Sequence, residues 1–178
     1  MKGKILISSP NLLTDMIFYK SIILLVDESS DGHTGFILNR PGGILFMKNE
    51  THTPSKKFKF NFGGPVSDQT FFIINKQIKN LEVSWVENSI YWGNNVQTAI
   101  EFINNGKISL NDIIFFQGYS GWDSEQLESE IKDKSWIVID NYSFNLFNLK
   151  KNSWNKIING LGHKYRIWSN SPDDISLN

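Results

Sequence analysis

Apolar residues along this chain follow two different periods. Short runs rich in β-branched and aromatic side chains recur at residues 4–7, 22–26, 35–38, 58–62, 70–74, 113–117 and 136–139, and these predict strands. Residues 22–26 and 113–116 are apolar without alternation, which suits central strands covered on both faces. Lys57-Phe58-Lys59-Phe60-Asn61-Phe62 alternates strictly, so a half-exposed strand is expected with Phe58, Phe60 and Phe62 on one face.

Three segments carry the helical period instead. Val96, Ala99, Ile100 and Ile103 fall at i, i+3, i+4 and i+7 after a capping Asn94 or Asn95, with Gly106 placed to stop the helix. Trp154, Ile157, Ile158 and Leu161 repeat that spacing between a cap at Asn152 or Ser153 and Gly162. Between them, Asp123 and Gln126 resemble a capping box, Leu127 and Ile131 share a face, and Glu128 to Lys132 is a favourable i,i+4 pair. Strands dominate the first half and alternate with helices in the second. The pattern predicts a mixed α/β domain of α+β character, a mixed sheet flanked by helices. No repeat or linker divides residues 1–178, and the polar tail 169–178 is expected to fray.

Composition narrows the function. The 178 residues are 40% hydrophobic, enough for a real core. Eighteen Lys and Arg balance eighteen Asp and Glu, so the molecule projects no strong field toward a polyanion or an anionic membrane. The tightest basic group, Lys56, Lys57 and Lys59, closes a polar stretch, 48–59, that reads as a solvated loop. Cysteine is absent, which removes disulfides and thiolate chemistry and points to a reducing compartment. The N-terminus has too few apolar residues for a signal core, and the longest apolar run, 22–26, is far short of the roughly 20 residues of a membrane span. A cytoplasmic location is expected.

The candidate chemistry lies in turns. Gly118-Tyr119-Ser120-Gly121-Trp122 reads as a Gly-rich turn between a buried strand and the helix near Asp123. A nucleophile elbow would need glycine two residues after Ser120, where Trp122 stands, and no acid evidently orients His33, His52 or His163. A structural turn outweighs a nucleophile. Asn39-Arg40-Pro41 follows a strand, and Arg40 is the residue able to grip a carboxylate or phosphate through its planar fork, although pairing with an acidic side chain or capping a helix carbonyl outweighs that use. Gly63-Gly64-Pro65-Val66 reads as a tight turn without Walker spacing. No His or acidic pattern suggests a metal, and no cofactor motif is present.

Taken in order, Gly3 to Ile7 with Pro10 and Asp15, the strand 21–26, Gly35 with Asn39-Arg40-Pro41, Gly63-Gly64-Pro65-Val66, Gly93-Asn94, Gly118 to Trp122 with Gln126-Leu127, Trp136, Trp154 and Leu161-Gly162 resemble the YqgE/AlgH family, UPF0301 or DUF179. The match spans almost the whole chain. The resemblance implies a single domain with a bifurcated, partly barrel-like mixed sheet and flanking helices. It implies no established reaction, although some members carry a transcriptional-regulator label. This chain departs from the pattern: Asp123-Ser124-Glu125 replaces a Gly-Pro-Gly-like stretch, Ile74-Asn75 replaces a Leu-His pair, and Ser120 takes a place that is often alanine.

The leading expectation is a non-enzymatic binding or regulatory protein, with a protein as partner and a surface made by Asn39, Arg40, Pro41, Gly63, Gly64, Pro65, Gly118, Tyr119, Ser120, Gly121 and Trp122. The alternative is a hydrolase acting on a small phosphorylated or acyl substrate, using Ser120 or Arg40 with a distant acid or His33. Direct nucleic-acid binding is disfavoured: it would require Lys56, Lys57 and Lys59 to share a face with Lys150, Lys151, Lys164 and Arg166.

Overall fold

The computed structural model describes residues 1–46 and 57–171. Ten strands form its sheet: β1 (Ile5–Ser8), β2 (Ile22–Ser29), β3 (Gly32–Ile37), β4 (Pro41–Phe46), β5 (Lys57–Phe62), β6 (Val66–Ile74), β7 (Ser84–Glu87), β8 (Ile90–Gly93), β9 (Ile113–Trp122) and β10 (Trp136–Ile139). The helices are α1 (Val96–Asn104), α2 (Gln126–Lys132), α3 (Ser153–Gly160) and the single turn α4 (His163–Arg166). The spatial order is β10-β1-β2-β3-β9-β6-β8-β7, with β5 beside β9 and β4 outside β5.

The long strand β9 organises this order. One of its edges pairs antiparallel with β6, from Ile113↔Ile74 to Tyr119↔Val66. The other edge serves two strands in turn: β5, parallel, at Phe115–Gln117, and β3, antiparallel, at Ser120–Trp122. The sheet therefore forks at β9, as the resemblance implied. It does not close into a barrel, and β5 with β9 is its one parallel pairing among the described residues. The fold is α+β.

Forking produces three hydrophobic clusters, and the unbroken apolar run of β2 serves two of them. Ile22, Leu24 and Val26 join Ile5, Ile7, Phe36, Phe116 and α3's Trp154 and Ile158 on one face. Ile23 and Leu25 join Leu6, Ile37, Trp122, Trp136 and α2's Leu127 on the other. The third cluster lies under α1, where Val96, Ala99, Ile100 and Ile103 meet Phe72, Ile74, Ile113 and Phe115. The helix α3 is fastened by Trp154, fully buried, whose indole N–H donates to the Ser8 carbonyl at 2.9 Å. The fork also splits the β5 phenylalanines: Phe58 and Phe60 pack under α1, whereas Phe62 packs into the cluster under α2.

Several expectations are corrected. Residues Gly118 to Trp122 are not a turn; β9 continues through them to Trp122, and Gly118 takes a positive φ of 68° inside the strand. The helix expected near Asp123 begins at Gln126, and only half of the capping box forms, Asp123 N–H donating to Gln126 Oε1 at 3.2 Å. Of the expected fraying tail, Ser169 and Asn170 belong to a 3-10 turn, Ile167–Asn170, the Ser171 carbonyl accepts from Lys20 Nζ at 2.7 Å, and 172–178 lie outside the described residues. Asn95 is the α1 cap, accepting Thr98 N–H at 3.1 Å. Among the described residues no helix is long and apolar enough to cross a membrane.

Gly63 and Gly64 carry the chain from β5 to β6 across β9, backbone against backbone. A Cβ on Gly63 would lie 2.2 Å from the Gly118 carbonyl oxygen, and one on Gly64, at φ 152°, 2.3 Å from the Tyr119 carbonyl. Gly64→Ala is therefore expected to cost about 3 kcal/mol or more, since the clash is with backbone and adds to positive-φ strain. Gly106 also has positive φ, but no atom lies within 4 Å of a Cβ built there. Gly106→Ala is expected to cost only about 1 kcal/mol. Urea midpoints of the two variants compare the effects.

Candidate functional site

The expected site residues separate into two groups once their contacts are traced. Asn39, Arg40, Gly63, Gly64, Gly118 and Ser120 face inward. Asn39 is buried between strands, its Oδ1 accepting Ile22 N–H at 2.9 Å and its Nδ2 donating to the Lys20 carbonyl at 2.8 Å. The Arg40 guanidinium donates to the Ile17 carbonyl, to the Tyr19 carbonyl at 3.0 Å and to Ser21 Oγ at 3.5 Å, while lying over the Phe62 ring. Its pKa is held below the ordinary arginine value by burial, opposed by the charge of Asp15. Asp15 in turn accepts Ile17 N–H at 2.8 Å, so the fork of Arg40 is spent shaping the loop before β2. Ser120 is fully buried, and its hydroxyl donates to the Gly63 carbonyl at 3.1 Å, the same oxygen that accepts Ile37 N–H at 3.0 Å.

Tyr119, Gly121 and Trp122 come together elsewhere, at the far end of β9. There the β2–β3 hairpin turns tightly through Ser30 and Asp31, and Gly32 approaches so closely that a Cβ would lie 1.9 Å from the Trp122 carbonyl oxygen. An open cleft of about 320 Å³ results, with Asp31, His33 and Thr34 on one wall and Tyr119, Trp122 and Asp123 on the other. Val66 contributes an apolar edge, 38% exposed. Pro41 and Pro65 are exposed and line neither this cleft nor its floor.

The cleft is acidic. Asp31 and Asp123 are exposed, and no cation pairs with either among the described residues. Glu28, opposite His33 in the hairpin, is already neutralised by the N-terminal ammonium. That hydrogen bond, with a second from Lys2 N–H, holds its carboxyl below the ordinary glutamate range. His33 is 8% exposed, and its Nδ1 has no hydrogen-bond partner among the described residues. The floor is rigid: the Trp122 and Trp136 indoles both donate to Glu130 Oε2, at 2.9 and 2.6 Å, and Phe18 packs against both rings.

His33 and residues 119–122 stand out in the sequence, the latter as an expected turn, and Val66 and Asp123 appear there only as turn and capping residues; Asp31 does not stand out. The local signal for Asp31 is its place just before Gly32, between two strand-like runs, which marks a tight turn. Among the described residues no group of three or more His, Asp or Glu could hold a metal ion. Lys56, part of the basic face expected for nucleic acid, and His52 lie outside the described residues. Because Arg40 and Ser120 serve the fold, Arg40→Lys and Ser120→Ala are each expected to lower the unfolding free energy by about 1 kcal/mol in chemical denaturation.

Comparison with known proteins agrees with this architecture. The AlgH-like family model, DUF179, matches residues 5–166. A UPF0301 protein of Cytophaga hutchinsonii is 35% identical over 182 residues, covering 99% of this chain and 98% of its own. Another, from Bacteroides fragilis, is 35% identical over 184 residues, covering 99% of this chain and 91% of its own. The solution structure of AlgH from Pseudomonas aeruginosa superposes with a TM-score of 0.71 at 20% identity, over 97% of this chain and 94% of that one. A crystal structure from Corynebacterium diphtheriae gives 0.70 at 15% identity, over 96% and 92%. These two likenesses concern the fold alone. On the family match and the extent of the curated relatives, the chain belongs to the AlgH-like family.

Proposed function

We propose that this chain is a non-enzymatic binding or regulatory protein of the cytoplasm, and that its cleft between the β2–β3 hairpin and the end of β9 receives a basic segment of a partner protein. The observation that carries this reading is the pairing of two uncompensated carboxylates, Asp31 and Asp123, with the half-buried ring of Tyr119 and the exposed Val66 in one open cleft. Carboxylates at the walls attract a guanidinium or ammonium, and an aromatic ring beside them adds a cation–π contribution. The molecule is neutral overall, so this preference is local.

The hydrolase alternative draws less support. Its nucleophile would be Ser120, buried with its proton committed to Gly63, and its anion grip would be Arg40, committed to loop carbonyls. The absence of cysteine favours the cytoplasm. Of the surface expected from sequence, Tyr119 and Gly121 form the part that meets the partner, while Asn39, Arg40, Gly63, Gly64, Gly118, Ser120 and Trp122 hold it in place.

An arginine–glycine repeat peptide and its citrulline counterpart, titrated calorimetrically, provide the test. The arginine peptide is expected to bind with a salt-dependent affinity that falls about tenfold in the double variant D31N/D123N, the worth of one or two rim charge pairs. Equal binding of the citrulline peptide, or an unchanged affinity in the double variant, would overturn the proposal.

A further inference from the structure

We propose a second site: the groove at the fork of β5 and β9 binds a small amphipathic carboxylate, an apolar body with one anionic head. The parallel ladder between these strands runs only from Phe60↔Phe115 to Phe62↔Gln117. Before it starts, the strands border a groove of about 440 Å³ lined by Phe58, Lys59, Ile113 and Ile114. Its other wall is Phe147 and Leu149, from and just beyond the 3-10 turn Leu146–Asn148. Phe58 and Ile113 are buried, and Leu110 at the rim is 58% exposed. The volume falls within the range of small-molecule sites, about 300–1,000 Å³.

Charge selects the head group. Among the described residues Lys59 is exposed, is the one cation lining the groove and has no ion-pair partner, and no acidic side chain lines it. An unpaired ammonium at the mouth of an apolar groove favours an anion, and a single lysine matches a monoanion better than a phosphate, which needs several donors. The apolar walls require a hydrocarbon or aromatic body. An extended peptide is a poor occupant. The other edge of β5 is taken by β4, and the Phe60↔Phe115 pair closes the fork, so no strand can be added. The groove shares no lining residue with the acidic cleft, so the two sites stand or fall separately.

The whole chain, labelled with nitrogen-15, is titrated with decanoate, with decyltrimethylammonium and with acetate while amide shifts are followed. Decanoate is expected to give saturable shifts centred on Lys59, Ile114 and Leu149, with acetate giving none. Decyltrimethylammonium should bind about tenfold more weakly, and Lys59→Gln should weaken decanoate about tenfold, the worth of one charge-assisted hydrogen bond. Lys59→Arg should keep decanoate affinity within about threefold of the parent. Lys59 is exposed, so neither variant threatens the fold. Equal binding of the cationic amphiphile, indifference to Lys59→Gln, or the absence of saturable decanoate shifts would each overturn the assignment. So would shifts centred on other exposed apolar residues such as Trp85 and Ile167, the mark of surface adsorption.

Discussion

Where the segment from β5 to β6 crosses β9, two stretches of backbone touch with no side chain between them. Gly63 and Gly64 lie on Gly118 and Tyr119 at distances that a single methyl group would abolish, and the contact is held by Gly63 N–H donating to the Gln117 carbonyl at 2.8 Å and by Ser120 donating to the Gly63 carbonyl. Everything else in the sheet is placed from this crossing. Because β5 and β6 flank β9 on opposite edges, β9 is left with one free stretch, Ser120–Trp122, and β3 occupies it. The sheet forks because a short connection passes over its central strand, and a fork has three faces to cover instead of two.

Those faces explain the helices. The helix α3 packs on the face common to both branches, through Trp154 and Ile158, while α1 and α2 each cover one branch on the opposite side. Buried polar groups then mark the seams. Asn39 satisfies Ile22 and Lys20 where β2 begins, Arg40 satisfies the loop before it, and Ser120 satisfies the crossing. Each replaces a ladder hydrogen bond that irregular backbone could not make, and leaving such groups unpaired inside the protein is costly. The chain's polar signatures are consequently architectural in large part, and the chemistry able to meet a ligand is displaced to the two ends of the fork.

Much of the architecture is legible in residue pattern. The helix stripes of α1 and α3 are direct readings of i, i+3, i+4 spacing, and the unalternating run 22–26 correctly announces a strand covered twice. The failures have physical reasons. Glycine density at 118–121 signals a turn locally, yet here it permits a distant segment of the same chain to pass; that need is set by residues 63–64, far away in sequence, and leaves no local trace. The strands β4, β7 and β8 were missed because Pro41-Gly42-Gly43 reads as a turn, and because Ser84–Glu87 and Ile90–Gly93 are short and paired at the sheet edge. Arg40 advertises anion binding by its type alone, and only its carbonyl partners show that its fork is occupied. Asp31 and Asp123 line one cleft, and their meeting depends on the register His33↔Trp122, which no local pattern encodes.

The late position of β9 in the chain bears on biosynthesis. The strands β3, β5 and β6 are all complete before residue 75, yet each takes β9 as a neighbour, and β9 is finished only at Trp122. A ribosome-bound chain that has not yet exposed this strand holds several unpaired edges, the condition under which nascent β proteins associate wrongly. Non-local pairing of this kind also slows folding, because the loops must close before the contacts reward it. The crossing that defines the architecture therefore makes the first two-thirds of the molecule wait for the strand that comes after it.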